Sequence, residues 1–165
     1  AALSGVAMGP VFITVIGQCM GSRDIPGAQF YFRRLLCITL LLSALWNGLT
    51  LAATPLFLRF FALDPETKAL VFRLVLLHNI FNTVAFPFSG ALGNGLRAAG
   101  DVKYTMYCSI FTTVGVRLVF SWVFALGLNL GVMGIAWAMC ADWTARGGLY
   151  LLRLKSGKWK EHKVI

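Results

Sequence analysis

Five long runs of apolar residues constrain the fold more than any other feature of the sequence. A helix needs about 20 predominantly apolar residues to cross the roughly 30 Å hydrocarbon core of a bilayer. The runs cover residues 1–21, 35–58, 70–93, 104–127 and 132–153. Only 13% of the residues are charged, whereas soluble domains carry about 25%. The sequence therefore predicts an all-α, polytopic helical membrane protein with about five transmembrane helices.

The first residue, Ala1, already lies inside an apolar run. The sequence shows neither a basic lead-in nor a small-residue cleavage site, so no signal peptide is recognised. We expect the chain to be a C-terminal piece of a longer membrane protein, with residues 1–165 forming one lobe and residues 154–165 forming a basic tail.

Lysine and arginine residues in the loops, in the tail and at the ends of the spans are distributed unequally between the two sides of the predicted membrane. Ten lie on one side and three on the other, and the positive-inside rule makes the richer side cytoplasmic. We therefore expect a multi-pass protein of the plasma (inner) membrane with a cytoplasmic C-terminus, and Trp159 at the level of the lipid headgroups. The ten are Arg23, Arg33, Arg34, Arg97, Lys103, Arg153, Lys155, Lys158, Lys160 and Lys163, and the three are Arg59, Lys68 and Arg73.

The second span carries a stripe of polar residues within an arc of about 80°. Such a stripe is expected to face other helices or a wet cavity and not lipid, and helix packing and a transport role both remain open. Its members are Thr39, Ser43, Asn47, Thr50 and Thr54.

The third span combines a polar cluster with a proline break. Pro87 removes a backbone hydrogen bond near Thr83 and is expected to bend the helix. Transporters build ion and substrate sites at such breaks, and we interpret residues 86–103 as the cytoplasmic half of a cavity-lining helix. The candidates for a substrate or ion path are Asn47, Thr50, His78, Asn79, Asn82, Thr83, Pro87 and Asn94.

The fourth and fifth spans are joined by the short turn GLNLG. Arg117 and Asp142 are equally far from its centre, so an antiparallel hairpin brings them to one depth, about 18 Å from the turn. An unpaired charge there is costly, which predicts an intramembrane charge pair. Arg146 lies one turn beyond Asp142 and is expected to share it. The cluster is either structural or part of a transport path.

Two further patterns predict local structure in the N-terminal third. Gly5, Gly9, Gly17 and Gly21 lie at steps of four or eight along the first span and predict close helix packing. The aromatic residues 30–32 beside two arginines predict a short interfacial helix before the second span.

Catalytic and metal-binding motifs are absent from the sequence. The four cysteines have no CxxC spacing and no nearby His or Asp clusters, so we interpret them as buried hydrophobes. We expect no enzyme activity, no catalytic residues, no metal site and no cofactor. The net charge of +9 is explained by membrane topology, so we expect the lipid bilayer as a partner and no nucleic acid.

Three stretches together resemble the multidrug and toxin extrusion (MATE) family. IGQCMGSRDIPGA and ALGNGLRAAGD are similar to family elements that end helices, and GVMGIAWAMCADWTARGGLYLLRLKSGKW is similar to the last helix and basic tail. The resemblance implies a twelve-helix, two-lobe transporter, of which this chain would supply the last five helices and pair with the N-terminal lobe.

The resemblance also implies a function. It suggests an antiporter that exports small organic cations and amphipathic drugs, including xenobiotics, in exchange for sodium ions or protons. The third span contains no Asp or Glu, so the coupling ion is expected to bind in the missing lobe. A lipid-linked oligosaccharide flippase of the same superfamily and a non-transporting membrane scaffold are the alternatives.

Overall fold

A computed structural model describes residues 3–61 and 64–161, and these residues form helices and short connections without strands. This confirms the all-α class. We number six helices: α1 Leu3–Gly21, α2 Ile25–Arg59, α3 Pro65–Val84, α4 Pro87–Ala98, α5 Val102–Gly127 and α6 Gly131–Ser156, followed by a 3₁₀ turn, Lys158–Glu161.

Helix α2 begins at a typical helix-start signal, an aspartate at the N-cap followed by a proline. The Asp24 carboxylate accepts a hydrogen bond from the backbone N–H of Gly27 at 2.9 Å, with Pro26 in the first turn. From there the helix runs without interruption for 35 residues. The prediction of a separate interfacial helix at residues 30–32 is therefore wrong, because no residue between Phe30 and Leu35 breaks the hydrogen-bond ladder.

Helices α3 and α4 form one bent rod. Pro87 has no N–H to continue the ladder of α3, and residues Pro87–Ala91 form a π-helical turn. The axes of the two helices differ in direction by 47°. The predicted bend is thus present at the predicted proline.

Helix α1 packs against α2 and α4 around a buried aromatic and aliphatic core. Gly5 lies against the Phe86 ring, and Gly9 lies against the Asn94 amide. Gly17 and Gly21 have open space on their Cβ side, so the packing prediction is wrong for these two. The core includes Phe12, Ile16, Phe32, Leu92, Leu96, Tyr150 and Trp159.

Trp159 belongs to this core. It is fully buried, its ring meets that of Phe32 edge to face at 5.1 Å, and its Nε1 donates to the carbonyl of Leu154 at 3.1 Å. Its predicted place among lipid headgroups is therefore wrong. Gly157, with φ of 72°, ends α6 and turns the chain back toward the core. Residues 162–165 of the predicted tail, including Lys163, and residues 1–2 of the first span lie outside the described residues.

Helices α5 and α6 form the predicted antiparallel hairpin, and both expose long apolar faces. By length and composition, α2 and α5 can each span a membrane, and the bent rod of α3 and α4 adds a third span. The region Gly5–Gly21 is a shorter apolar helix, and α6 carries Asp142, Arg146, Arg153 and Lys155. A polytopic membrane protein is confirmed, whereas the count of five spans stays a prediction.

Candidate functional site

The polar residues of the second and third spans meet in a buried seam between α2 and α3. Asn82 Nδ2 donates to Asn47 Oδ1 at 3.1 Å, and both side chains are at least 97% buried. Asn47 Nδ2 in turn donates to the carbonyl of Ser43 at 2.8 Å. A hydrogen bond between two buried amides fixes the relative position of these helices, since misalignment would leave polar groups unsatisfied.

Asn79 lies on α3, about one turn before Asn82. Its Nδ2 donates to the Val75 carbonyl at 2.8 Å, and Thr83 donates to the Asn79 carbonyl at 2.8 Å. Asn79 is 96% buried, yet its Oδ1 accepts no hydrogen bond from any described residue. A buried acceptor of this kind is rare, and it is chemically suited to a cation or to a ligand's N–H or O–H group.

The polar stripe of α2 faces the protein interior, as the sequence predicts. Thr39, Ser43, Asn47 and Thr54 are buried, and Thr50 is half-buried. The hydroxyls of Thr39, Thr50 and Thr54 donate to carbonyls four residues earlier. The threonines are thus satisfied within their own helix, which favours the packing interpretation for them.

His78 takes part in an aromatic contact with α6. Its ring meets Trp143 at 5.3 Å, and Trp143 also meets Phe86 at 5.4 Å, both edge to face. Phe81 meets Trp137 at 5.9 Å in the same way. His78 therefore helps to hold α3 against α6. Trp143 was not a candidate from the sequence, because nothing in its spacing distinguishes it from the other aromatic residues.

Asn94 lies beyond the bend and apart from the seam. It lies against Gly9 of α1 and accepts a 3.3 Å hydrogen bond from Arg97 Nη1. Asn79 and Thr83 bond within α3. In the sequence, steps of three and four residues connect Asn79 and Thr83 to Asn94, which predicts one shared face on a straight helix. The bend at Pro87 removes that continuity.

A charge cluster joins the middle of α5 and α6. Asp142 is fully buried, and Arg146 Nη2 lies 2.7 Å from its Oδ1 and 3.0 Å from its Oδ2. Arg146 also donates to the hydroxyls of Thr112 and Thr113, at 2.9 and 2.7 Å. Arg117 Nη1 is 4.0 Å from Asp142 Oδ2, and its side chain is 40% exposed.

Arg117 and Asp142 lie close together, as the hairpin geometry predicts, but Arg146 is the closer partner of Asp142. Two guanidinium groups share one carboxylate, so the cluster carries a formal excess of one positive charge. Thr112 and Thr113 complete the coordination of Arg146. Neither threonine was a candidate from the sequence, although both lie about one turn before Arg117 on α5.

A second ion pair joins the last turns of α6 to the residue that precedes α5. Arg153 Nε lies 2.6 Å from Asp101 Oδ2, and its guanidinium stacks over the Tyr104 ring at 4.6 Å. The Tyr150 hydroxyl donates to the Thr105 carbonyl at 3.0 Å. In the sequence, Arg153 is only one of the ten cations on the predicted cytoplasmic side. A single acidic residue at the turn before α5 was the available signal for its partner.

Two apolar grooves follow the exposed side of α6. One, of about 760 Å³, lies between α5 and α6 beside Phe81, and the other, of about 440 Å³, lies between α6 and the rod of α3 and α4. Phe81, Thr144 and Gly148 border both. Among residues 3–61 and 64–161, no group of three or more His, Cys, Asp or Glu side chains could hold a metal ion.

Comparisons with known proteins agree with a membrane-transport fold. The family model MatE matches residues 2–123 of the chain. The uncharacterized transporter YisQ of Bacillus subtilis (strain 168) is 26% identical over 157 residues, which are 95% of this chain and 34% of that protein. The chain therefore spans about a third of the length of this relative. No solved structure matches the chain significantly.

Proposed function

Because the chain belongs to the MatE family, we propose that the full-length protein is a secondary active efflux transporter. It exports cationic or amphipathic organic compounds, including drugs, in exchange for sodium ions or protons. It resides in the plasma (inner) membrane with its C-terminus in the cytoplasm. The described helices belong to the lobe that pairs with an N-terminal lobe of the same chain.

The observation that carries this proposal is the amide seam beside the bend. Asn47 and Asn82 join α2 to α3, and Asn79 Oδ1 is a buried acceptor without a partner among the described residues. Two residues beyond Asn82, α3 ends at Val84 and the bend follows. A preformed acceptor next to a broken helix supports binding of a cation or a polar ligand group, because the cost of burying the acceptor is recovered when it is filled.

The proposal is tested by substrate accumulation in cells that express the full-length gene. Cells with the transporter should accumulate less ethidium or fluoroquinolone than cells without it, and collapsing the sodium and proton gradients should remove the difference. Unchanged accumulation with both compounds and both gradients would count against drug antiport. Expression should be followed in parallel, so that absence of the protein is not read as absence of activity.

Pro87→Ala is expected to reduce transport more than it reduces the amount of folded protein. Alanine restores the N–H that can bond to the Thr83 carbonyl, which favours a straighter rod at the 47° bend. We expect export to fall about tenfold, with folded protein within about twofold of wild type. Pro10→Ala, at an exposed position inside α1, is the matched control. Equal losses of export and of folded protein would make Pro87 a folding element only.

A flippase for lipid-linked oligosaccharides is the second candidate, and Arg117 is the observation that favours it. Its side chain is 40% exposed, and its Nη1 lies 4.0 Å from a carboxylate that Arg146 already holds. Such a group can bind a phosphate. Arg117→Ala separates the two candidates, since it should abolish transfer of an anionic lipid-linked substrate while leaving export of organic cations intact.

A further inference from the structure

A cavity of about 370 Å³ lies between the beginning of α2 and the end of α6, away from the amide seam and the charge cluster. We call it the α2–α6 cavity. Its opening is lined by Gln29, Arg33 and Lys155. Arg33 and Lys155 are exposed, and neither forms an ion pair within the described part of the chain. None of the described lining residues is acidic, so the opening carries two positive charges.

The floor of the same cavity is apolar. Phe32, Leu36, Leu151 and Trp159 line it, and Phe32 and Trp159 are almost completely buried. The Trp159 Nε1 group is already bonded to the Leu154 carbonyl, so the indole presents only carbon to the cavity. The cavity is therefore amphipathic, with cations at one end and hydrocarbon at the other.

The charged end of the cavity lies at the predicted membrane boundary, and its apolar end lies on the membrane side of that boundary. Arg33 lies just before the apolar run 35–58, and Lys155 lies just after the run 132–153. Leu36 and Leu151 lie inside those runs, about one turn deeper along their helices. Because α2 leads away from this boundary and α6 leads back to it, both cations lie at headgroup depth and both leucines lie at acyl-chain depth.

From this arrangement we propose that the α2–α6 cavity binds an anionic phospholipid. The lipid phosphate lies between Arg33 and Lys155, and the beginning of an acyl chain lies along Leu36 and Leu151. Basic pockets between membrane helices bind anionic headgroups in this way, and the volume falls within the range of small-ligand sites. The lipid fastens the beginning of α2 to the end of α6. The site does not depend on what the protein transports.

The proposal is tested on the full-length protein in detergent by native mass spectrometry. The probes are phosphatidylglycerol and phosphatidylcholine with identical acyl chains, added at equal concentration. The wild type should retain phosphatidylglycerol in preference to phosphatidylcholine. In Arg33→Gln/Lys155→Gln, retention of phosphatidylglycerol should fall at least about tenfold, because two headgroup contacts are lost.

Arg34→Gln/Lys158→Gln is the matched control. It removes the same number of charges one and three residues away, and neither residue lines the cavity. It should retain phosphatidylglycerol like the wild type. Gln29→Glu is a second test that leaves both cations in place: an acid near the start of α2 favours the helix but repels the headgroup, so lipid retention should fall while the protein stays folded.

Three results would overturn the proposal. The first is unchanged retention in both Arg33→Gln/Lys155→Gln and Gln29→Glu. The second is an equal loss in the Arg34→Gln/Lys158→Gln control, which would indicate general surface charge. The third is displacement of phosphatidylglycerol by inorganic phosphate at the same concentration, which would indicate a site for small anions and not for a lipid.

Discussion

Asp142→Ala is expected to cause the largest loss of folded protein of any single substitution in the charge cluster. The carboxylate is fully buried, and Arg146 holds it through contacts at 2.7 and 3.0 Å. Removing it leaves the Arg146 and Arg117 cations in an apolar region without an anion. Breaking a buried pair from one side costs about 3–5 kcal/mol. The measurement is the yield and thermal stability of full-length protein in detergent.

Two further variants locate the origin of that loss. Arg117→Ala should have a small effect, because the Arg117 side chain is 40% exposed and its Nη1 lies 4.0 Å from the carboxylate. Asp142→Ala/Arg146→Ala should recover much of the stability lost in Asp142→Ala, since the more deeply buried guanidinium is then removed and only the 40% exposed Arg117 side chain remains beside the missing carboxylate. A double variant as unstable as Asp142→Ala would mean that the charge balance is not what stabilises the hairpin.

Gly134→Ala is expected to give the second large effect, by separating α5 from α6. A Cβ at Gly134 would lie 2.6 Å from the Phe124 carbonyl carbon and 2.7 Å from the Ala125 nitrogen. Both are backbone atoms, so no side-chain rotation can relieve the contact, and the helices must move apart. Overpacking of this kind costs about 1–3 kcal/mol, and the thermal midpoint of the full-length protein should fall accordingly.

Gly148→Ala is the matched control for this substitution. It lies in the same helix and has open space on its Cβ side. Because alanine favours a helix over glycine by about 1 kcal/mol, Gly148→Ala should be neutral or slightly stabilising. If Gly134→Ala were as stable as Gly148→Ala, the close approach of the hairpin helices would be wrong.

The helix positions could be predicted from the sequence because apolar runs and helix-start signals act locally. Asp24 and Pro26 fix the beginning of α2, and Pro87 fixes the bend. The hairpin of α5 and α6 followed from a short turn, which brings residues at equal distance from it to one depth. Such features can be predicted from residue types, their spacing along the chain and the geometry of a helix.

The choice among neighbouring partners could not be predicted in the same way. Arg117 and Arg146 were both within reach of Asp142, and side-chain direction decides that Arg146 makes the shorter contact. Trp159 has the sequence context of a headgroup anchor, but the turn at Gly157 directs it into a core built from distant residues. These outcomes depend on tertiary packing, which local sequence patterns do not contain.

The candidate path was predicted only in part. Burial of the α2 stripe followed from its narrow arc, and the Asn47–Asn82 hydrogen bond joins residues that both belong to the predicted set. Asn94 was grouped with Asn79 by a periodicity that holds for a straight helix, and the 47° bend separates them. A helix break therefore ends the range over which helical spacing can be extrapolated.

The central claim, ion-coupled transport, is tested most directly with purified full-length protein in proteoliposomes. A sodium or proton gradient is imposed and movement of an organic cation such as ethidium is followed, with Asn79→Leu protein as the control for the buried Asn79 acceptor. We expect movement of the cation against its own gradient in the wild type, driven by one of the two ions, and a strong reduction in Asn79→Leu. Movement that never exceeds equilibration under either gradient would contradict it.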